Sequence, residues 1–427
     1  MKILIVGAGG REHALAWKLS KNEKVEKIFI APGNAGVELL PKAENVILEN
    51  DIAKYAKFAK ENNIDLTVVG SEELLVAGIV DEFRKKGLKI FGPDKKAAIL
   101  EGSKAYSKEF MKKYGIRTAA YEIFEDAEKA KDFLKKWRDF PVVVKASGLA
   151  AGKGVIIAQS LEEAVKAVEE IMIDSKFGSA GNQVVIEEFL EGVEASILSF
   201  TDSKVIVPLL SAKDHKKIGE NETGLNTGGM GVISPNPYVC DEVLEKFRND
   251  IMEPTLKGMQ SEGMDFEGVI FFGLMITEKG VYLLEYNMRM GDPETQAVLP
   301  LMENDLLELI EKSFDKKLSE SNVKWKEMHS CCVVGVAKGY PEDYEKGKLI
   351  TGIKEFTEDS ENMLFIAGAK TDEKGSFLTN GGRVLNAVGL GKTLEEARNK
   401  AYAQLQKVKF EDMYFRRDIG NFCDKNI

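Results

Sequence analysis

The sequence predicts a multidomain α/β and α+β protein. An N-terminal doubly wound parallel sheet leads into a central α+β region and then a small C-terminal mixed β domain. Three observations predict this. Strands and glycine turns alternate with helical stretches over the first hundred residues. An alternating apolar strand runs into a turn crowded with polar groups near residue 285. The length, 427 residues, exceeds what one core can organise, so two to four domains are expected.

The elements follow in order. Ile3-Leu-Ile-Val6 is a buried strand, followed by a glycine turn and a helix through Leu19. Ile28-Phe-Ile30, Leu66-Thr-Val-Val69 and Lys89-Ile-Phe91 recur at intervals suited to helical crossovers, each ending in Gly or Pro-Gly. Residues 94–117 are helical and amphipathic. A compact α+β segment, about 118–190, holds the strands Pro141–Lys145, Gly154–Ile157 and Gln183–Glu187 and a helix from Leu161 to about Ile173. Residues 190–326 form a mixed sheet with strands near Ala195–Phe200, Val205–Leu210, Gly268–Thr277 and Gly280–Glu285. Further strands and the helix Leu394–Gln406 close the chain. The expected domains are 1–102, 103–326 with a lid of about 118–190, and 327–427.

Composition narrows the partners. The balance is acidic, 59 − 69 = −10, which disfavours non-specific binding to nucleic acid or an anionic membrane. No apolar run reaches the ~20 residues of a membrane-spanning helix. None of the cysteines Cys240, Cys331, Cys332 and Cys423 sits in a Cys-x-x-Cys pair, and Cys331-Cys332 lies in an apolar run, so packing is its expected role. The expected compartment is the reducing cytoplasm.

The run Leu283-Leu-Glu-Tyr-Asn-Met-Arg-Met-Gly-Asp-Pro-Glu-Thr-Gln296 carries the most chemistry. Residues two apart on a strand share a face, so Glu285, Asn287 and Arg289 are expected in a row. A carboxylate and an amide oxygen suit a hard cation that also binds substrate phosphates. A solvated edge face would explain the alternation, but not the acid-rich turn that follows.

The loop Lys145-Ala-Ser-Gly-Leu-Ala-Ala-Gly-Lys-Gly154 reads as a phosphate grip. Gly148, Gly152 and Gly154 let backbone N–H groups approach anionic oxygens, and Lys153 adds charge. It is no Walker A loop, because three residues separate Gly148 from Gly152 and Gly154 follows Lys153. Lys145 ends a run of valines, and a buried ammonium needs an anion. Glu187-Glu188-Phe189-Leu190, with Glu194 beyond, reads as a hinge for an adenine and its ribose. Asp214-His-Lys-Lys217 leads into Asn226-Thr-Gly-Gly-Met-Gly231, with Lys216 and Lys217 as available cations; His215 is read as a surface or capping residue. Gly7-Ala-Gly-Gly-Arg-Glu-His13 is half a dinucleotide fingerprint, with Glu12 where the third Gly belongs. That disfavours a nicotinamide site, while Gly9, Gly10 and Arg11 still open a helix that can hold a phosphate.

Taken in order, these blocks resemble the ATP-grasp superfamily, and within it the phosphoribosylamine–glycine ligase family. Glu101-Gly-Ser-Lys104, Gly291-Asp-Pro-Glu-Thr-Gln296 and Phe415-Arg-Arg-Asp-Ile-Gly420 add to the likeness, which covers almost the whole chain. Departures are small: Ser71 and Leu225 stand where the family usually has Pro, Met290 where it has Phe, and Arg117 where it has Pro.

The resemblance implies a central ATP-grasp domain with a mobile lid and an ATP-dependent carbon–nitrogen ligase of purine biosynthesis. Its substrates would be ATP, glycine and 5-phosphoribosylamine, with Mg²⁺ or Mn²⁺ at Glu285 and Asn287. Lys104, Lys145 and the glycine loop would hold the phosphates, and Glu187 to Leu190 the adenine. Arg289, Lys145 and Asp214 are the catalytic candidates. Gly9, Gly10, Arg11, Glu72, Lys217 and Asp292 are the candidates for the remaining substrates. A monomer is the expectation. Rivals are a biotin carboxylase-like ligase, a regulatory nucleotide-binding protein, and an NAD-dependent oxidoreductase that fails at Glu12 and Ala31.

Overall fold

The structure is a computed structural model that describes residues 1–150 and 152–421. Ala151, inside the glycine loop, and Cys423 lie outside the described residues.

The N-terminal unit is built on β1 (Lys2–Gly7), β2 (Lys27–Pro32), β3 (Ala43–Asn45), β4 (Leu66–Val69) and β5 (Ile90–Phe91). They pair in parallel in the order β3-β2-β1-β4-β5. Ile3 and Ile5 enter one core, and Leu4 and Val6 enter another with Tyr55 and Phe83. Both faces of the sheet are thus covered, as a doubly wound sheet requires. The strand order reverses between β1 and β4, and such switch points are where open α/β sheets bind ligands. The three-residue edge strand β3 had no signal in the sequence.

The predicted helix over 94–117 is two helices, Lys95–Gly102 and Lys104–Lys113. Ser103 breaks them: its backbone is extended and its hydroxyl caps the second helix by accepting from Tyr106 N.

The lid holds β6 (Tyr121–Phe124), β7 (Val142–Ala146), β8 (Val155–Ala158) and β9 (Val184–Glu188), antiparallel in the order β6-β9-β7-β8. Its helices pack Ala130, Leu134, Ala164 and Val168 onto Val142, Val144, Val184 and Ile186, so it has a small core of its own.

The next strands are β10 (Val193–Thr201), β11 (Ile206–Asp214), the hairpin β12 (Lys217–Gly219) and β13 (Thr223–Asn226), β14 (Gly231–Ser234), β15 (Gly268–Thr277) and β16 (Gly280–Asn287). The last segment adds β17 (His329–Val336), β18 (Leu349–Ile350), β19 (Asn362–Ile366), β20 (Ala369–Thr371), β21 (Phe377–Thr379) and β22 (Arg383–Gly391). Two expectations change here. The central sheet is antiparallel rather than mixed, and it does not stop near residue 326. A single eight-stranded sheet runs β16-β15-β10-β11-β14-β17-β22-β19, because β14 pairs with β17. The C-terminal segment therefore completes the central sheet, with the helix Leu394–Leu405 packed on β17 and β22. One core continues from Ile3 through Phe200 to Phe365 and Val388. Cys331 and Cys332 are buried free thiols on β17, in the packing role expected of them.

Candidate active site

The cleft forms where the lid, the open face of the eight-stranded sheet and the ligand edge of the N-terminal sheet converge. Strand β16 supplies its floor through a register shift. Gly273 pairs with Glu285 and Leu274 with Leu283, so Leu284 is an extra residue. Val281 and Leu283 enter the core before the shift, and Tyr286 and Met288 after it. A one-residue bulge re-aims every later side chain. Without it Glu285 would share the buried face of Leu283. With it, Glu285, Asn287 and Arg289 line the cleft, and Arg289 Nη2 donates to Asn287 Oδ1 at 3.3 Å.

Charges are arranged around this row. Burial alone would raise the Glu285 carboxyl, but Lys216, Lys145, Lys104 and Arg289 outweigh it and hold the group below the usual carboxylate range. Glu285 is therefore an anion. Arg289 forms no ion pair with Asp292 or Glu294, the acids that follow it in the Gly-Asp-Pro-Glu turn. Its Nη2 lies 3.0 Å from Glu101 Oε1 and its Nε 3.5 Å from Glu72 Oε2. Glu101 in turn accepts from Met288 N at 2.6 Å, which fixes the strand end.

On the lid, Lys145 Nζ donates to Glu187 Oε2 at 3.0 Å. Glu187 is the penultimate residue of β9, 1% exposed, with its side chain turned inward. Lys108 Nζ, from the helix Lys104–Lys113, shares the same oxygen at 3.0 Å and also donates to Thr118 Oγ1 at 2.7 Å. Burial lowers Lys108 to about 8, while burial of Glu187 is outweighed by the two lysines, which keep it ionised. Glu187 Oε1 is buried with no hydrogen-bond partner. Glu188 accepts from Ala120 N, and after it Phe189 is exposed and Leu190 half-buried.

The glycine loop is anchored at its base. Ala146 N donates to Gly154 O, Gly148 N donates to Ala180 O, and Lys104 Nζ donates to Gly148 O at 3.2 Å. Lys153 is exposed at the tip. A Cβ on Gly152 would come 3.7 Å from Thr227 O, so the loop reaches across to the Asn226–Gly231 segment.

That segment brings Lys216, rather than Lys217, to the site. Lys216 Nζ lies 2.8 Å from Glu194 Oε2 and its charge acts on Glu285 and Asp214; neighbouring residues of an extended chain face opposite ways. Lys217 offers its backbone carbonyl to Arg416 on the far side. Asp214 Oδ1 is buried without a partner, and burial together with Glu294 pushes the Asp214 carboxyl well above its ordinary range. Gly229, at φ 115°, sits directly over it, where a Cβ would lie 2.7 Å from Asp214 Oδ1 and 2.5 Å from Pro293 Cδ. His215 is buried rather than superficial, with Nδ1 3.2 Å from Gly231 O.

At the N-terminal sheet edge, Glu12 folds back to accept from Gly9 N at 2.6 Å and Arg11 Nε at 2.6 Å. Its carboxylate fills the switch point, since a Cβ on Gly70 would lie 1.8 Å from Glu12 Oε1. Arg11 N points to Asp292 Oδ2 at 3.4 Å, and Arg11 Nη1 donates to Met290 O. The helix N-terminus read as able to hold a phosphate already faces two carboxylates, those of Glu12 and Asp292. Asp292 also accepts from Gln296 Nε2 at 2.8 Å and lies 3.5 Å from Arg383 Nη2. Lys216, one of the two cations read from the sequence, is joined here by Glu12, Glu101, Lys108, Glu294 and Arg383, none of which was singled out as a site residue from the sequence. The blocks Arg11-Glu12, Glu101–Lys104 and Gly291–Gln296 held a signal for Glu12, Glu101 and Glu294.

The donor set fits a hard divalent cation. Glu285 is ionised and Asn287 adds an amide oxygen on the same face. Among the described residues no group of three or more His, Cys, Asp or Glu side chains forms a metal cluster, so phosphate oxygens and water would complete the shell.

An antiparallel sheet with a four-stranded lid, a glycine loop between lid strands, and lysines converging on a carboxylate–amide pair define an ATP-grasp ligase. Comparison with known proteins agrees over the whole length. The phosphoribosylglycinamide synthetase N domain matches residues 1–101, its ATP-grasp (A) domain residues 102–295 and its C domain residues 330–422. The phosphoribosylamine–glycine ligase of Fusobacterium nucleatum is 56% identical over 423 residues, 98% of each chain. That of Clostridium acetobutylicum is 54% identical, covering 98% of this chain and 99% of its own. The crystal structure of the Thermotoga maritima phosphoribosylamine–glycine ligase superposes with a TM-score of 0.85 at 35% identity, covering 98% of this chain and 100% of that one. The chain belongs to the phosphoribosylamine–glycine ligase family.

Proposed function

We propose that the ATP-dependent ligation of glycine to 5-phosphoribosylamine, a step of purine biosynthesis, runs here through glycyl phosphate. The glycine carboxylate attacks the γ-phosphorus of ATP, the bond to the β–γ bridging oxygen breaks, and ADP leaves. The amine of 5-phosphoribosylamine then attacks the acyl carbon, loses a proton, and phosphate departs as the amide forms. The convergence of Lys104, Lys145, Lys216 and Arg289 on the Glu285–Asn287 face carries this reading. A carboxylate must approach a polyanion, so fixed cations have to offset the repulsion at the transferring group.

Each residue has a part. Lys104 and Lys145, with the glycine loop, hold the phosphates. Glu187 to Leu190 border the adenine, and Glu194 the ribose. Arg289, braced by Glu101 and Glu72, presents a planar guanidinium to the carboxylate or acyl phosphate. Asp214, Arg11, Glu72 and Asp292 line the side from which the amine substrate enters; Gly9 and Gly10 shape it, and Lys217, the first residue of the β12–β13 hairpin, ties that hairpin to Arg416 through its carbonyl. Glu285 and Asn287 would hold Mg²⁺ or Mn²⁺, which when bound supplies positive charge to the phosphates. The lid, with its own core, closes as a unit and keeps water from the acyl phosphate.

No helix among the described residues is long and apolar enough to cross a membrane. The buried free thiols of β17 support a reducing compartment, the cytoplasm.

The deciding experiment follows ADP release with Mg²⁺-ATP and fresh phosphoribosylamine, with and without glycine. Stoichiometric ADP and glycinamide ribonucleotide only with glycine is the expected result. Turnover indifferent to glycine would remove the substrate assignment.

A further inference from the structure

Arg416 is 1% exposed, and its guanidinium is engaged on every side. Nε and Nη2 lie 2.8 and 2.7 Å from the two oxygens of Asp418, Nη2 lies 2.8 Å from Glu222 Oε1, and Nη1 donates to Lys217 O at 3.0 Å. The neighbouring residues reach the same place. Asp418 Oδ2 accepts from Asn221 N at 2.8 Å, Glu220 Oε1 accepts from Arg417 N at 3.2 Å, and the Tyr414 hydroxyl donates to Ile218 O at 3.0 Å. Apart from the Arg416–Asp418 pair, which holds the two side chains together within the C-terminal segment, each of these contacts ends on the β12–β13 hairpin or its tip.

That hairpin needs outside support. Its two strands pair only with each other, and an isolated two-stranded hairpin is marginal in water. Its tip places Asn221 and Glu222 at φ 55° and 56°, a left-handed conformation that non-glycine residues adopt at a cost. Those two residues are the ones held by Asp418 and Arg416. At the hairpin's base, Thr227 N and Oγ1 both donate to Lys216 O, at 2.8 and 2.7 Å, and Lys216 turns its ammonium toward Glu194 and the Glu285 face.

We infer that Arg416 is a positioning residue for the ligation: it straps the 217–226 hairpin to the C-terminal segment and so fixes Lys216 over the metal-binding face. The inference rests on the ligase reading, because Lys216 acts in that cleft. It assigns a task to the C-terminal Arg-Arg-Asp block, whose Arg416 and Asp418 side chains are engaged with each other and the hairpin.

The test compares Arg416→Met, Arg416→Lys and Glu222→Gln, each alone and combined with Lys216→Met. The assay is glycine-dependent ADP release. A second readout is cleavage by a glutamate-specific protease after Glu220 and Glu222. Arg416→Met is expected to lower kcat/KM about tenfold or more, with Arg416→Lys partly restoring it, and to lose most of that effect once Lys216 is Met. Its hairpin is expected to be cut faster. Glu222 is half exposed, so Glu222→Gln keeps the fold and should show the same non-additivity at smaller size. Fully additive losses, or faster cleavage with an unchanged rate, would overturn the inference. If the unmodified chain releases no ADP with glycine, the ligase reading has failed, and the cleavage rates then decide whether the strap exists.

Discussion

Lys145 Nζ lies 3.0 Å from Glu187 Oε2 in a pocket where neither side chain is more than 8% exposed. The pair joins β7 to β9 across the lid, and Lys108 closes it from the helix below. Two ammonium groups on one carboxylate oxygen leave a surplus positive charge in a buried place. An arriving polyphosphate would balance it.

Replacing Lys145 by Ala should therefore weaken ATP binding and slow turnover, with kcat/KM for ATP falling on the order of 10²-fold. Steady-state kinetics at saturating glycine would show it. An unchanged Michaelis constant for ATP with normal turnover would show the lysine to be dispensable.

Glu285→Gln should abolish amide formation and leave the fold standing. The amide keeps the volume but surrenders the charge that Lys216, Lys145 and Lys104 surround. A rate loss of ~10²–10³ or more is expected, with an unaltered circular dichroism spectrum. Retained activity at ordinary Mg²⁺ would take Glu285 out of the metal site.

Arg289→Lys keeps the charge and loses the fork. A lysine cannot reach Glu101, Glu72 and Asn287 together as the guanidinium does. We expect kcat to fall about 10²-fold with a smaller change in the Michaelis constant for ATP. Wild-type kcat in this variant would leave Arg289 a purely structural bridge.

Stability should fall in mild acid because of two buried histidines. His13, whose Nδ1 accepts from Ile366 N at 2.8 Å, is held down to about 3 by burial. His215 is held to about 4 by burial and by Arg416 and Lys213. In the unfolded chain both titrate near ~6.5. As pH falls below that value the unfolded state takes up protons first, so stability declines by about 1.4 kcal/mol per pH unit for each histidine until the folded values are reached. Urea midpoints at pH 7.5 and 5 would measure the slope, and His13→Gln should reduce it. A midpoint independent of pH over that range would refute the assignment of buried neutral rings.

Much was legible because it is local. The glycine turn after β1, the valine run ending in Lys145, and the Asn-x-Arg row before Gly-Asp-Pro-Glu are all contiguous, and backbone periodicity alone sets their faces. The dinucleotide reading fails at Glu12 and Ala31, and at Glu12 the carboxylate fills the space beside Gly70.

What tertiary structure decided depends on registers and on partners far apart in sequence. The sequence placed Glu285, Asn287 and Arg289 in a row, but simple alternation from Val281 would have buried Glu285. Pairing with β15 inserts Leu284 as a bulge and turns the row into the cleft. The union of β14 with β17, which makes two expected sheets into one, joins segments about a hundred residues apart in the chain. Lys108 beside Glu187, Glu101 beside Arg289 and Arg416 beneath the hairpin are likewise long-range pairings. A sequence dictates which side chains share a local face; which faces meet is settled only when burying them together outweighs the entropy of closing the loops between them.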